Sequence, residues 1–341
     1  RGHATEAVWR NPWTIWLALW LIGVSVWRFH WLFLARSPNQ PRFIYNEYAW
    51  FACVNVLMAL LLAKDLATVW LRTDAALHQV TQWVCWSLIP IALYAIGQCF
   101  GWDQFYVSTV TSAQSNAVYA GFGNAGYLAI YLAMLLPLYF VFAPKQYLAY
   151  AALVGLALWA THTSYAWGIM AVGLASSTMA RWWHRLAQWM QVLATVACGA
   201  SAGAMAWWGW RYVHTDERWA IWTAAIAKMR STVEPLHISL SATGHGLESF
   251  GHLLGQQMHF SHNAWLQLLV EAGWVGLLLA LGMMAWSIRS GWRMATTSVV
   301  ASGWFGVWMA FLAATLVHSP DRILPVAFMG LCAWSVMNRG G

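Results

Sequence analysis

The stretch GHGLESFGHLLGQQMHFSHNAWLQLLVEAGWVG, Gly244 to Gly276, runs from a polar segment rich in glycine and histidine straight into an apolar helix. Four histidines, His245, His252, His259 and His262, lie within eighteen positions. After His262 and Asn263 the chain stays predominantly apolar to Ile288. A helix rising about 1.5 Å per residue needs about 20 such residues to cross a bilayer core. The junction therefore predicts a titratable cluster at the mouth of a membrane helix, where a polar headgroup can meet a base.

Composition extends this reading to the whole chain. With 60% hydrophobic and 9% charged residues over 341 positions, and a mean hydropathy of +0.52, the sequence cannot cover a water-soluble surface with charge. It predicts an all-α polytopic membrane protein. The apolar runs are long and do not alternate, so helices are favoured over a barrel. The 28 Trp and 12 Tyr suit interfacial belts, although many Trp fall within helices and must pack on lipid or on neighbours. The formal charge of +7 is scattered through short loops, a topology signal that also suits membrane lipids; no basic block points to nucleic acid.

Cys53, Cys85, Cys99, Cys198 and Cys332 fall in or beside apolar runs without metal-like spacing, so buried free thiols are expected. The chain opens at Arg1 without Met and without a classical signal sequence; the expectation is a trimmed copy of a longer protein, with one or two helices upstream.

In chain order the expected spans are Pro12 to Phe33, Phe43 to Ala63, Gln79 to Phe100 with Pro90 as a kink, and Phe122 to Ala143. Lys64 to His78 reads as a cytoplasmic link. Tyr147 to Met179 is too long for one span and is broken by the polar run from Thr161 to Tyr165, which predicts two short helices meeting at an apex. Leu186 to Trp208, Ala264 to Ile288, Thr296 to Val317 and Ile323 to Met337 complete about ten spans. The division expected is a transmembrane bundle over 1–210, an extracytoplasmic loop over 211–262, and C-terminal helices of the same domain over 263–341. With the termini inside, ten basic residues lie on the inner side and seven on the outer, which places the long loop outside.

Within that loop, Glu217 to Lys228 has the period of an amphipathic helix that brings Arg218, Ile221, Trp222 and Ala225 together. A second short helix is expected from Glu248 to Met258. The irregular spacing of the histidines argues against a metal cluster. Glu271 is costly to bury and should meet a buried donor or a cavity.

The loop and the helix after it resemble the bacterial O-antigen ligase and O-antigen polymerase superfamily. The likeness lies in His262, Asn263, Gly273 and Gly276; in Gly244, Gly246 and Phe250; in Arg218 and Trp222; and, upstream, in Gly121-Phe122-Gly123-Asn124 with Ala129 and Pro137. It implies a multispan enzyme of the bacterial inner membrane whose active loop faces the periplasm. Such an enzyme transfers a glycan from an undecaprenyl-pyrophosphate-linked donor to lipid A-core, to a growing glycan or to a protein acceptor, without metal or cofactor. His262 would be the base and Arg218 the phosphate clamp. Substrate contacts would come from Asn263, Arg211, Arg322, His162, Asn124 and His259. The family's apex arginine is missing: Thr161-His162-Thr163-Ser164-Tyr165 has none, and His162 is the nearest candidate cation.

Structural alternatives stand beside these roles. Asn263 reads equally as a helix cap, Gly273 and Gly276 as close-packing positions, and Arg218, Arg211 and Arg322 as interface anchors. For the whole chain, a lipid-glycan transporter and a non-catalytic scaffold with membrane-complex subunits are the readings outside the transferase class.

Overall fold

The computed structural model describes residues 14, 16–21, 58–59, 61–63, 65–66, 71, 73–102, 118, 120, 122, 124–139, 147–191, 217–231, 244, 250, 262–320 and 324–338. Among them every regular element is helical. The main α-helices are α1 (Asp74–Cys99), α2 (Ala125–Leu135), α3 (Tyr147–Ala160), α4 (Ser164–Trp182), α5 (Glu217–Ser231), α6 (Ala264–Thr297), α7 (Val299–Val317) and α8 (Leu324–Asn338). By length and apolar composition α1, α6 and α7 are each long enough to cross a membrane, and α2, α3 and α8 are shorter apolar helices. The protein is thus an all-α, polytopic membrane protein.

Two compact units divide the chain. One holds the described residues of Ala63–Trp182 and Ser287–Gly341; the other holds those of Trp9–Leu62 and Trp183–Trp286.

In the first unit α1 starts five residues before the expected span, because Thr73 Oγ1 accepts the Ala76 amide at 3.1 Å and Asp74 occupies the first turn. The expected link up to His78 is therefore partly helix. Pro90 lies inside α1, as its reading as a kink rather than a boundary requires. In the turn before it, the buried Tyr139 hydroxyl donates to the Cys85 carbonyl at 2.8 Å. Asn124 caps α2, and Pro137 sits in the 3-10 turn that follows it.

The run from Tyr147 is broken as expected: α3 ends at Ala160 and α4 begins at Ser164. The two legs pack mainly on other helices. α3 lies against α1 and α2, while α4 lies against α2 and α7. α4 and α7 approach each other closely. A Cβ on Gly306 would stand 2.6 Å from the Gly173 carbonyl oxygen, so only glycine lets the two backbones meet. Inside this core the Trp304 indole donates to Thr81 Oγ1 at 2.9 Å, whereas Trp83 and Trp86 on α1 are exposed.

The C-terminal boundaries also differ from the sequence reading. α6 runs on to Thr297 and carries the exposed Arg289 and Arg293, which were expected in a loop; α7 then starts after the cap Ser298. Hydropathy marks where apolar residues stop, while the helix continues into the polar interface with its arginines turned to solvent. Cys85 and Cys332 are buried free thiols, but Cys99 is exposed at the end of α1, contrary to expectation.

Candidate functional site

The second unit is organised on the head of α6. His262 adopts a left-handed backbone (φ +52°), a conformation non-glycine residues adopt infrequently, and turns the chain into the helix. Asn263 follows as the cap, its Oδ1 accepting the Trp265 and Leu266 amides at 3.0 Å each. The side-chain oxygen of Asn263, a residue assigned to substrate, is thus engaged by the helix end. His262 and Asn263 are both half-buried.

Ten residues further on, α6 is interrupted. Gly273 has φ +67° and ψ −173°, a region essentially reserved to glycine. Two distant segments close on this break. Gly244, itself at φ +76°, lies so near that an added Cβ would meet the Glu271 carbonyl and stand 2.5 Å from the Gly273 nitrogen. From the first helical stretch, the Trp20 indole donates to the Ala272 carbonyl at 2.8 Å. Gly276 admits that indole, since its Cβ would collide with Ala272 and sit 3.2 Å from Trp20 Cδ1. Gly273 and Gly276 therefore serve backbone geometry and packing.

Between head and break runs a polar stripe at four-residue spacing: Asn263, Gln267 and Glu271. Gln267 and Glu271 are 5% and 4% exposed, and Gln267 Nε2 donates to Glu271 Oε1 at 3.0 Å. The buried donor expected for Glu271 is therefore present. The adjoining face of the helix is held by an apolar cluster of Ile221, Ala225, Phe250 and Val270, with Trp222, Leu266 and Leu269 packed on it. This is the inward face of α5, the amphipathic helix expected in the loop. Arg218 is the second residue of α5. Arg211, Arg322, His259, His245 and His252, and the expected helix 248–258 apart from the helical Phe250, lie outside the described residues.

The first unit carries a separate polar cluster where the beginnings of α2 and α4 and the end of α7 converge. Asn124 Oδ1 accepts the Gly126 amide at 2.7 Å, and the Tyr165 hydroxyl rests against Gly126. Asn124 is thereby brought beside the Thr161–Tyr165 apex. His162, at φ +52°, is exposed, with its ring 5.9 Å from that of Trp159.

Sequence reasoning passed over the centre of this cluster, His318. It is 7% exposed, its Nδ1 accepts the Ser319 amide at 2.8 Å, and its ring stands edge-on to Tyr127 at 5.3 Å and tilted to Tyr165 at 6.5 Å. An accepting Nδ1 fixes the neutral tautomer with the proton on Nε2. The signal was present in the His318-Ser319-Pro320 turn, from which only Arg322 was singled out. Asn124, Tyr127, Tyr165 and His318 thus gather polar side chains from three helices in one place. Among the described residues no three His, Cys, Asp or Glu side chains converge as a metal cage requires.

No protein-family model and no curated protein matches the chain. The class that fold and sequence define is a polytopic helical membrane protein with a histidine at a loop-to-helix junction.

Proposed function

We propose that the protein is a glycosyltransferase of the bacterial inner membrane that moves a glycan from an undecaprenyl-pyrophosphate-linked donor to an acceptor hydroxyl on the periplasmic side. The observation that carries this reading is the His262–Asn263 junction. A half-buried imidazole is held in a fixed backbone conformation by the cap that follows it, at the point where the polar loop enters the membrane helix. In the reaction the acceptor oxygen bonds to the anomeric carbon as the carbon–oxygen bond to pyrophosphate breaks. The leaving group keeps that electron pair, and the acceptor proton passes to His262. Pyrophosphate leaves already charged and requires cations rather than an acid; Arg218, Arg211 and Arg322 are the arginines assigned to it, with His162 at the apex that lacks one. Asn124, Asn263 and His259 are assigned to the donor and acceptor glycans. Lipid A-core is the first choice of acceptor, with a growing glycan or a protein hydroxyl as alternatives.

The interrupted α6 supports a second reading, since discontinuous membrane helices also build transport sites. Glycan transfer from polyprenyl-pyrophosphate donors by the purified protein in membranes separates the two. His262→Ala is expected to lower transfer by about 100- to 10,000-fold with the fold retained, and His259→Ala to lower it less. Transfer by His262→Ala at the parental rate removes the base; movement of donor across the bilayer without bond change favours transport.

A further inference from the structure

At the end of α6 away from His262 the helix outruns its apolar stretch. From Trp274 to Ile288 the residues are apolar apart from Gly276, Gly282 and Ser287, and the helix then continues through Arg289 and Arg293 to Thr297. Along this one helix Leu278, Leu281, Ala285, Arg289 and Arg293 are exposed, at spacings of three and four residues. That is a single strip, apolar as far as Ala285 and cationic from Arg289 on. Leu278 and Arg289 are eleven residues apart. Eleven residues of helix rise about 16 Å, against about 15 Å for the hydrocarbon of one leaflet. The strip has the length and the polarity of a phospholipid.

The fold itself makes no use of the two guanidinium groups. Among the described residues neither takes part in a hydrogen bond or an ion pair, although Asp65 and Asp74 belong to the same unit. The closing carbonyls of α6 are satisfied without them. Thr296 Oγ1 donates to the Arg293 carbonyl at 2.9 Å, and Thr297 Oγ1 and the Ser298 amide donate to the Met294 carbonyl at 3.0 and 2.9 Å. The arginines are therefore not caps. Other sides of this helix end are occupied. The Trp334 indole donates to Ser287 Oγ at 3.0 Å, Gly291 lies against Phe305 and Met337, and the Trp292 ring stands 5.8 Å from that of Phe305.

We propose that Arg289 and Arg293 bind the phosphate of an anionic phospholipid whose acyl chains lie along Leu278, Leu281 and Ala285. One turn apart on a helix, the two side chains start about 5 to 6 Å from each other, close enough to share one phosphate. The Cα–Cβ bonds of a helix tilt toward its N-terminus, here back toward the apolar stretch. Trp286, exposed just before the change in polarity, suits the boundary between acyl chains and headgroups. Two unpaired cations favour a headgroup of net negative charge over a zwitterionic one, whose ammonium they would repel. The site is at the opposite end of α6 from His262 and is read without a glycan donor, so it stands apart from the glycosyltransferase reading.

The test is native mass spectrometry of the purified full chain in detergent, with phosphatidylglycerol, phosphatidylcholine or glycerol phosphate added. The parent should bind phosphatidylglycerol more tightly than the other two. An arginine near an anionic lipid is worth a factor of about five, so Arg289→Gln and Arg293→Gln should each weaken phosphatidylglycerol binding about fivefold, and the pair about 25-fold. Binding of phosphatidylcholine should not change. Both positions are exposed, so the variants should unfold within about 2 °C of the parent. Lysine at both positions keeps the charge and should keep the preference, which separates loss of the site from loss of the fold. Equal binding of the two lipids by the parent, or parental affinity in the double glutamine variant, would overturn the proposal and leave the pair to the carboxylates of a partner polypeptide. Glycerol phosphate bound as tightly as the lipid would overturn the assignment to a lipid.

Discussion

Gly244→Ala tests whether the loop really seats on the break in α6. Two costs are separable. The first is backbone: at φ +76° an L-residue loses about 1 to 2 kcal/mol relative to glycine. The second is contact. The new Cβ would meet the Glu271 carbonyl and the Gly273 nitrogen, the latter at 2.5 Å where 3.4 Å is ordinary. Both partners are main-chain atoms of a membrane helix and cannot swing aside, so the loop must withdraw by about 1 Å; overpacking of this kind costs about 1 to 3 kcal/mol. Gly101→Ala supplies the internal standard, because Gly101 has a similar φ of +79° and nothing within 4 Å of its Cβ.

In a thermal melt followed by tryptophan fluorescence, about 2 to 4 °C per kcal/mol gives Gly101→Ala a loss of about 2 to 8 °C. Gly244→Ala should lose a further 2 to 12 °C or so beyond that standard. Equal shifts for the two variants would mean that Gly244 does not touch α6, and the account of the loop and break would be wrong.

Two other outcomes follow from the same geometry. Asn263→Ala should cost about 1 kcal/mol by freeing two amides of α6, while Asn263→Asp restores most of it; a melt in which alanine and aspartate behave alike contradicts the cap. Gly126→Ala should be destabilising because its Cβ strikes the Tyr165 hydroxyl, and Tyr165→Phe removes the struck atom. The double variant should therefore be more stable than the sum of the singles, and strict additivity would count against the contact. From the proposed function comes one more: loss of transfer in His262→Ala, with a smaller loss in His259→Ala.

What could be read in advance was local. The α5 face came from a four-residue period, the two legs α3 and α4 from a polar interruption in an overlong run, and the second role of Asn263 from its place before an apolar helix. The Gly273 break was not legible, since an isolated glycine in an apolar helix is ordinarily tolerated. What defines the break here is Gly244, 29 positions earlier, and an indole from residue 20. His318 escaped for the same reason: it is one histidine at a helix end, and its significance depends on Tyr127 and Tyr165 from two other helices. The first turn of α1 was readable from Thr73 and Asp74, but polarity was taken for a link where it was a cap. Arg289 and Arg293 misled in the reverse sense, because charge ends an apolar run without ending a helix.

The bond from Trp20 to Ala272 spans 252 positions of chain. At about 5 to 20 residues per second, the indole leaves the ribosome roughly 13 to 50 s before the carbonyl it will bind. Until then the Trp20 N–H needs some other acceptor. Tryptophan tolerates this, as an amphipathic ring can wait at the lipid–water boundary. The carbonyl freed by the opened turn of α6 thus takes its donor from a segment that the ribosome finished long before it.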